Sequence, residues 1–209
     1  MDKNVVKRNE LLAATVIKGI ESRNMTGYYA ADKEAALALA LSIIPEESTV
    51  TMGGGMSVWE IGLVDALKAG NYHFIDRAEY QNPRDAMLLA YDADVFLAST
   101  NAITEDGILV NIDGNANRVS AMAFGPKKLV LIVGMNKIAP DLDSAMKRAR
   151  SVAAPTNVQR FGLNTPCSKT GKCADCKSAD TICCQFLITR YSRHADRIHV
   201  ILVGESLGY

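Results

Sequence analysis

Apolar side chains fall at Val5, Val6, Leu12, Val16, Ile17 and Ile20, in steps of three and four between charged positions, and this spacing predicts an amphipathic helix over residues 3 to 23. Asp32 is a good N-cap for a second helix, which must stop before Pro45. "STVTM" has strand character, three glycines follow it, and "MSVWEIGLVDALKAG" reads as one helix opened by a capping box of Ser57 and Glu60 and closed by Gly70. The unit then repeats in outline: "NYHFID" is a strand, Asn82 caps and Pro83 opens a helix through "PRDAMLLAY". "DVFLAS" and "KLVLIVG" are continuous apolar runs, as in strands buried on both faces. Between them "NAITEDGILVNIDGNANRVSAMAFG" predicts a hairpin turning near Asp106 and Gly107, then a helix from about Asn115. "DLDSAMKRARSVA" is helical, and "QFLITRY" and "RIHVILVG" supply the last two strands.

Strands alternating with helices imply an α/β fold, a mostly parallel sheet flanked by helices. The expected organisation is a single domain over residues 1–209, with 165–184 a cysteine-rich loop. Lys plus Arg and Asp plus Glu both number 23, so no net field exists to hold a polyanion and no nucleic-acid partner is expected. The N-terminal segment carries its charges inside a helical pattern, unlike a signal peptide. No stretch approaches the roughly 20 apolar residues of a membrane-spanning helix. A cytoplasmic chain is therefore expected, where clustered cysteines serve metal or redox chemistry more often than a disulfide framework.

All five cysteines lie between residues 167 and 184: Cys167, then Cys173 and Cys176 in a CxxC, then the adjacent Cys183 and Cys184. The CxxC lets two thiolates approach one metal from a tight turn, with Gly171 relaxing the backbone before it. Cys167 and one of the final pair would complete four ligands. Cys183 is the expected fourth, because Cys184 abuts the apolar "QFLITRY" and should point into the core. The spacing is near that of plant-type iron–sulfur loops without matching it. An iron–sulfur cluster of the 4Fe–4S type, a four-cysteine zinc site, or thiols with no metal or a reversible disulfide all fit such a donor set.

Two further stretches carry candidate chemistry. Gly53, Gly54 and Gly55, with Ser57 behind them, follow a strand and precede a helix, a plausible cradle for a small anionic or phosphorylated ligand. They match neither a Walker A loop nor a dinucleotide fingerprint. The segment from Asn101 to Arg118 crowds Asn111, Asp113, Asn117 and Arg118 beyond a buried strand, where open α/β sheets bind ligands. Many such Asx residues instead cap and turn the backbone, Asp106 and Asn115 first. Glu105 is the candidate nucleophile or base, and Asn101 lies just past the strand end. Lys137, Asn157 and Arg160 are added as ligand-binding candidates, ahead of Lys127 and Lys128. His73, His194 and His199 read as structural.

The blocks "ADVFLASTNAITEDGILVNIDGNANRVSAMAFGPKKLVLIVGMNKI", "RARSVAAPTNVQR", "TPCSKTGKCADC" and "RIHVILVGESLGY" resemble the LUD-domain (lactate-utilisation, LutC/YkgG-like) family nearly throughout. The resemblance implies a fold like the sugar-phosphate isomerase and CoA-transferase (NagB/RpiA-like) group. It also implies a part in oxidising L-lactate to pyruvate beside iron–sulfur oxidoreductase subunits. Asn101 stands where isomerase-type relatives carry a catalytic carboxylate, and "TEDG" resembles the glutamate motif of CoA transferases with Asp106 in place of Asn. LutC-type subunits typically lack a cysteine loop, so this chain combines features of two subunit types. Against the lactate reading stands a non-redox enzyme acting through Glu105 with structural zinc, or a ligand-binding module.

Overall fold

The computed structural model describes residues 2–209. Helix α1 (Lys3–Ser22) starts where the Asp2 carboxylate accepts from the Asn4 and Val5 amides, and strand β1 (Thr26–Ala30) follows it. Asp32 caps α2 (Lys33–Ile43) through the Ala35 amide. Then come β2 (Thr49–Met52), α3 (Met56–Glu60), α4 (Leu63–Ala69) and β3 (His73–Ile75). Asn82 caps and Pro83 opens α5 (Pro83–Leu89), which leads to β4 (Val95–Ala98). The hairpin is β5 (Ala102–Thr104) and β6 (Leu109–Asp113); α6 (Asn117–Ala123), β7 (Lys128–Gly134), β8 (Ile138–Ala139) and α7 (Leu142–Arg148) come next. A π-helical turn at Ala149–Ala153 joins α7 to α8 (Ala154–Val158), and α9 (Pro166–Thr170), β9 (Gln185–Thr189) and β10 (Ile198–Val203) end the chain.

Six strands form one parallel sheet in the order β1-β10-β7-β4-β2-β3. The expected α/β class is found. Side-chain alternation along the central strands builds two cores at once. Leu129, Leu131 and Val133 of β7 pack with α1, α6 and the hairpin, whereas Val130 and Ile132 pack with the helices α2, α3 and α4. A second, four-stranded sheet, β8-β5-β6-β9, lies against the first core and is mixed, with β5 antiparallel to β6 and β6 to β9. Among the described residues no helix is long and apolar enough to cross a membrane.

Four expectations change. The helix expected from Ser57 to Gly70 is two short ones, broken at Gly62, which takes φ +75. The capping box does not form, because both its side chains have tertiary partners: Ser57 Oγ faces Ser99, and Glu60 Oε2 accepts from the Gly208 amide. Strands β1 and β8 have no counterpart in the periodicity. The first pairs with β10, across most of the chain, and the second is two residues long. "QFLITRY" is an edge strand, so Phe186 and Ile188 lie exposed.

The hairpin turn is fastened to α1. Arg23 pairs with the Asp106 carboxylate, and Gly107 takes φ +88 with its Cα so close to the helix that a Cβ there would stand 2.5 Å from the Ile20 amide nitrogen. A side chain at this position meets both backbone strain and a backbone wall. Gly107→Ala is expected to cost about 2–4 kcal/mol. A lowered urea midpoint with an unchanged slope would record it.

Candidate functional site

The carboxyl ends of β2, β4 and β7 open on a cavity of about 390 Å³, closed on its other sides by the β6–α6 turn and by α8. In open parallel sheets this edge is where ligands bind. Its lining carries four cationic side chains, Arg77, Arg118, Lys137 and Arg160, against one carboxylate side chain, Asp113.

Asp113 is already occupied. Its two oxygens accept from the amides of Asn115, Ala116, Arg118 and Val119, so it caps the start of α6 while Ala116 takes φ +63. Arg118, one residue into that helix, folds back. Its Nη1 donates to Asn111 Oδ1 (2.6 Å) and the Ser99 carbonyl (3.3 Å), its Nη2 to the Ile112 carbonyl (2.7 Å) and Asn101 Oδ1 (3.2 Å). The guanidinium is thus saturated by neutral acceptors, with Asp113 3.7 Å from its Nε. Burial pulls its pKa down and the nearby Asp113 opposes this.

The glycine turn serves this arginine first. A Cβ at Gly53 would lie 2.9 Å from Arg118 Cδ, and one at Gly55 would lie 3.3 Å from the Ser99 amide nitrogen. Gly53 and Gly55 therefore allow close packing, while Gly54 and Gly55 line the cavity. The helix after them has five residues, too short for the strong N-terminal dipole expected of a cradle.

Asn101 lines the cavity, and its oxygen accepts from the Ile112 amide and Arg118, so its NH₂ is what it has left to offer. Asn111 is fully buried behind Arg118, outside the lining, with its Nδ2 unpaired. Asn117 and Asn157 line the cavity, and exposed Arg160 donates to Asn157 Oδ1 and the Gly54 carbonyl, both at 3.1 Å. Glu105 stands apart. It occupies the far end of β5 from Asn101, on the turn against α1, and is not part of the lining. His199 is buried between Tyr28 and the Asp196 carbonyl, whereas His73 and His194 are exposed.

Lys137 is the residue whose environment periodicity could not show. It is 3% exposed, one turn beyond β7, with its Nζ 3.0 Å from Ser99 Oγ and 3.2 Å from Ser57 Oγ. No carboxylate pairs with it among the described residues. Burial, joined by the charges of Arg148 and Arg118 and opposed by Glu60, lowers its pKa to about 7. The signal available in the sequence was a lysine three residues past the end of a continuous buried strand.

The cysteine segment forms another wall of the cavity. Leu163, four residues ahead of Cys167, and Ile182, directly before Cys183, both line it, and the Cys184 amide donates to the Asp113 carbonyl at 3.1 Å. The Asn164 amide donates to Asp180 Oδ2, which closes the base of the loop, and Arg150 pairs with Asp175 above it. Thr165 caps α9 in a reciprocal box with Ser168, and Gly171 ends that helix at φ +68. All five thiols are free. Cys183 packs, like Leu142 and Met146, against the small buried cluster that includes Ala102, Val110 and Ala145, and its thiol is pushed up to about 11 by burial and then by the charges of Cys173, Cys167 and Cys176, which therefore share its surroundings. Cys184 is exposed and does not turn into the core, because the edge strand offers it no core to enter; of the adjacent pair it is Cys183 that shares the surroundings of the other three thiols. Among the described residues no group of three or more His, Cys, Asp or Glu side chains is arranged to hold a metal ion.

A parallel six-stranded sheet, with a mixed sheet and a cysteine loop laid around the cation-lined cavity at its carboxyl edge, defines the class of α/β protein. The family model for the LUD domain matches residues 13–203, and the chain belongs to that family. Among solved structures it is similar to a DUF162 family protein from Deinococcus radiodurans, at 13% identity and a TM-score of 0.53, over 93% of this chain and 98% of that one. It is also similar to translation initiation factor eIF-2B from Pyrococcus horikoshii OT3, at 17% identity and a TM-score of 0.35, over 53% of this chain and 48% of that one. No curated protein matches the chain.

A lysine whose folded-state pKa lies below its unfolded value opposes folding wherever the unfolded chain holds the extra proton. With a folded value of about 7 against 10.5, the Lys137 penalty is complete below pH 7 and fades as pH rises from there towards 10.5. Lys137→Met is expected to stabilise the fold by about 2–4 kcal/mol at acid to neutral pH, less than the whole shift because two hydrogen bonds are lost. Urea titrations of both proteins should show that advantage shrinking as the solution is made alkaline.

Proposed function

We propose that this chain is a component of L-lactate oxidation to pyruvate, holding the small carboxylate in the cation-lined cavity and an iron–sulfur cluster in the loop beside it. The observation that carries this reading is the shared wall: Leu163 and Ile182 line the cavity, and the cysteine segment is hydrogen-bonded to Asp113 on the cavity rim.

The side chains fit a small anion. Arg118 is committed to the fold, which leaves the exposed Arg77 and Arg160 to meet a carboxylate and the Asn101 amide to donate to it. Asn157 holds Arg160 in place. With a cavity of about 390 Å³ there is room for a three-carbon acid, and for part of a larger molecule too. The donor set of the loop is purely thiol, soft and of one kind, which fits an iron–sulfur cluster. Cys167, Cys173, Cys176 and Cys183 would hold it, and when bound it would accept and pass single electrons. Iron–sulfur oxidoreductase subunits are the partners this implies. Glu105, remote from the cavity, has no part in the reading.

Protein prepared without oxygen is expected to be brown, with roughly four irons per chain, and Cys173→Ser to be colourless. Zinc in place of iron, or an iron-free preparation, would sink the redox half of the proposal. Arg160→Ala should weaken L-lactate and pyruvate binding about tenfold by calorimetry, a loss of about 1.4 kcal/mol.

A further inference from the structure

The cavity holds an amine that anion binding alone does not require. A buried lysine ordinarily needs a carboxylate to offset the loss of hydration. Lys137 has two serine hydroxyls instead. The chain tail closes over them: a Cβ at Gly208 would stand 2.7 Å from Ser57 Oγ and 3.2 Å from Lys137 Nζ. The arginines Arg77 and Arg160 occupy the exposed side of the same cavity. A small acid held by its carboxylate at the arginines would share this cavity with the buried amine.

We propose that Lys137 is the nucleophile of this cavity and forms a reversible imine with the carbonyl carbon of a small 2-oxo acid, an inference that rests on reading the cavity as a carboxylate site. The amine lone pair adds to the carbonyl carbon, forming the C–N bond as the C–O π bond breaks. A proton passes from nitrogen to that oxygen, giving a carbinolamine. A second proton, handed to the same oxygen through Ser57, lets it depart as water while the C=N bond forms, and the iminium nitrogen returns one proton to that hydroxyl, so one water is released and nothing is oxidised or reduced.

The two serines divide the work. Ser99 Oγ donates to the Ile132 carbonyl at 2.6 Å, so its proton is committed and it acts as an acceptor that orients the amine. Ser57 Oγ accepts from Lys137 Nζ at 3.2 Å and donates to Ser99 Oγ across 3.4 Å, a far longer bond than the one that holds the Ser99 proton, so its proton is the one more readily moved. Ser57 is therefore the proton relay. Lys137 is a free base in useful amount near neutral pH, whereas exposed lysines stay protonated. A 2-hydroxy acid has no carbonyl to react, so the site would distinguish the oxidised from the reduced acid by a covalent bond.

The test incubates the full chain with pyruvate and sodium cyanoborohydride and reads intact and peptide masses. Pyruvate and L-lactate binding are measured in parallel by calorimetry without reductant. The expected adduct adds one pyruvic acid less one oxygen, lies on the peptide containing Lys137, and is lost in Lys137→Met and Lys137→Arg. L-Lactate should give no adduct and should compete with its formation. Trapping should rise as pH passes through about 7, and Ser57→Ala should slow it at least about tenfold with pyruvate affinity retained. Pyruvate binding without an adduct overturns the imine and leaves the carboxylate site standing. Absence of both overturns the two together, and an adduct scattered over other lysines in wild type assigns the reaction to the surface and overturns the proposal. Peptide mapping of the wild type decides the matter even if a variant fails to fold.

Discussion

The largely buried guanidinium of Arg118 joins the two sheets. Its hydrogen bonds run to the carbonyl beyond β4, to two residues of β6, and to the amide of Asn101 between the two strands. A charge-assisted hydrogen bond contributes about 1.5–3 kcal/mol, and a buried cation stripped of such partners costs several. The geometry is correspondingly over-determined. Asp113 caps α6 so that the arginine leaves the helix at the right place, and Gly53 has no side chain because the arginine stem passes where a Cβ would be. The cavity exists because this joint holds the β6–α6 turn over the carboxyl edge of the parallel sheet.

That dependence explains what could be read from residues alone. The buried strands β4 and β7 were legible as continuous apolar runs, and Asn101 as a polar residue at the end of one. Caps at Asp32 and Asn82 are local hydrogen bonds, so local sequence sufficed. β1 was not legible: "TGYYA" has no alternation to speak of, and its partner β10 lies far along the chain. The break at Gly62 has no local signature, because an isolated glycine in a helical pattern is usually tolerated. Ser57 and Glu60 looked like a cap because the partners that claim them, Ser99 and the Gly208 amide, come from elsewhere in the chain. Lys137 and Arg160 were legible as positions but not as a pair of opposites, one buried and one exposed.

The cysteine segment depends on the same joint at one remove. Its last residues enter β9, which pairs with β6, so the strand that receives Arg118 also fixes where the loop ends. The bond between Asn164 and Asp180 then fixes where it begins. With both ends set, the intervening thiols are confined to one region beside α7 and the π-helical turn, where Arg150 reaches Asp175. A widened helical turn at that point is in keeping with the tendency of such bulges to accompany functional sites.

Two cations in one cavity, Lys137 buried and Arg118 largely so, show how the same cost is met in opposite ways. Arg118 keeps its charge, because a planar guanidinium can be surrounded by carbonyl and amide oxygens that each take one N–H, and its ordinary pKa is too high for burial to neutralise it. Lys137 has a compact ammonium and finds only hydroxyls, one of them already turned towards Ile132. Hydroxyls accept a hydrogen bond but bring no opposing charge, so the favourable response to burial is to lose the proton. Exchanging the two residue types would fail at both positions: a lysine at 118 could not bridge two sheets, and an arginine at 137 would have no neutral form. The division follows from side-chain chemistry, and it assigns the structural joint to Arg118 and leaves the reactive amine to Lys137.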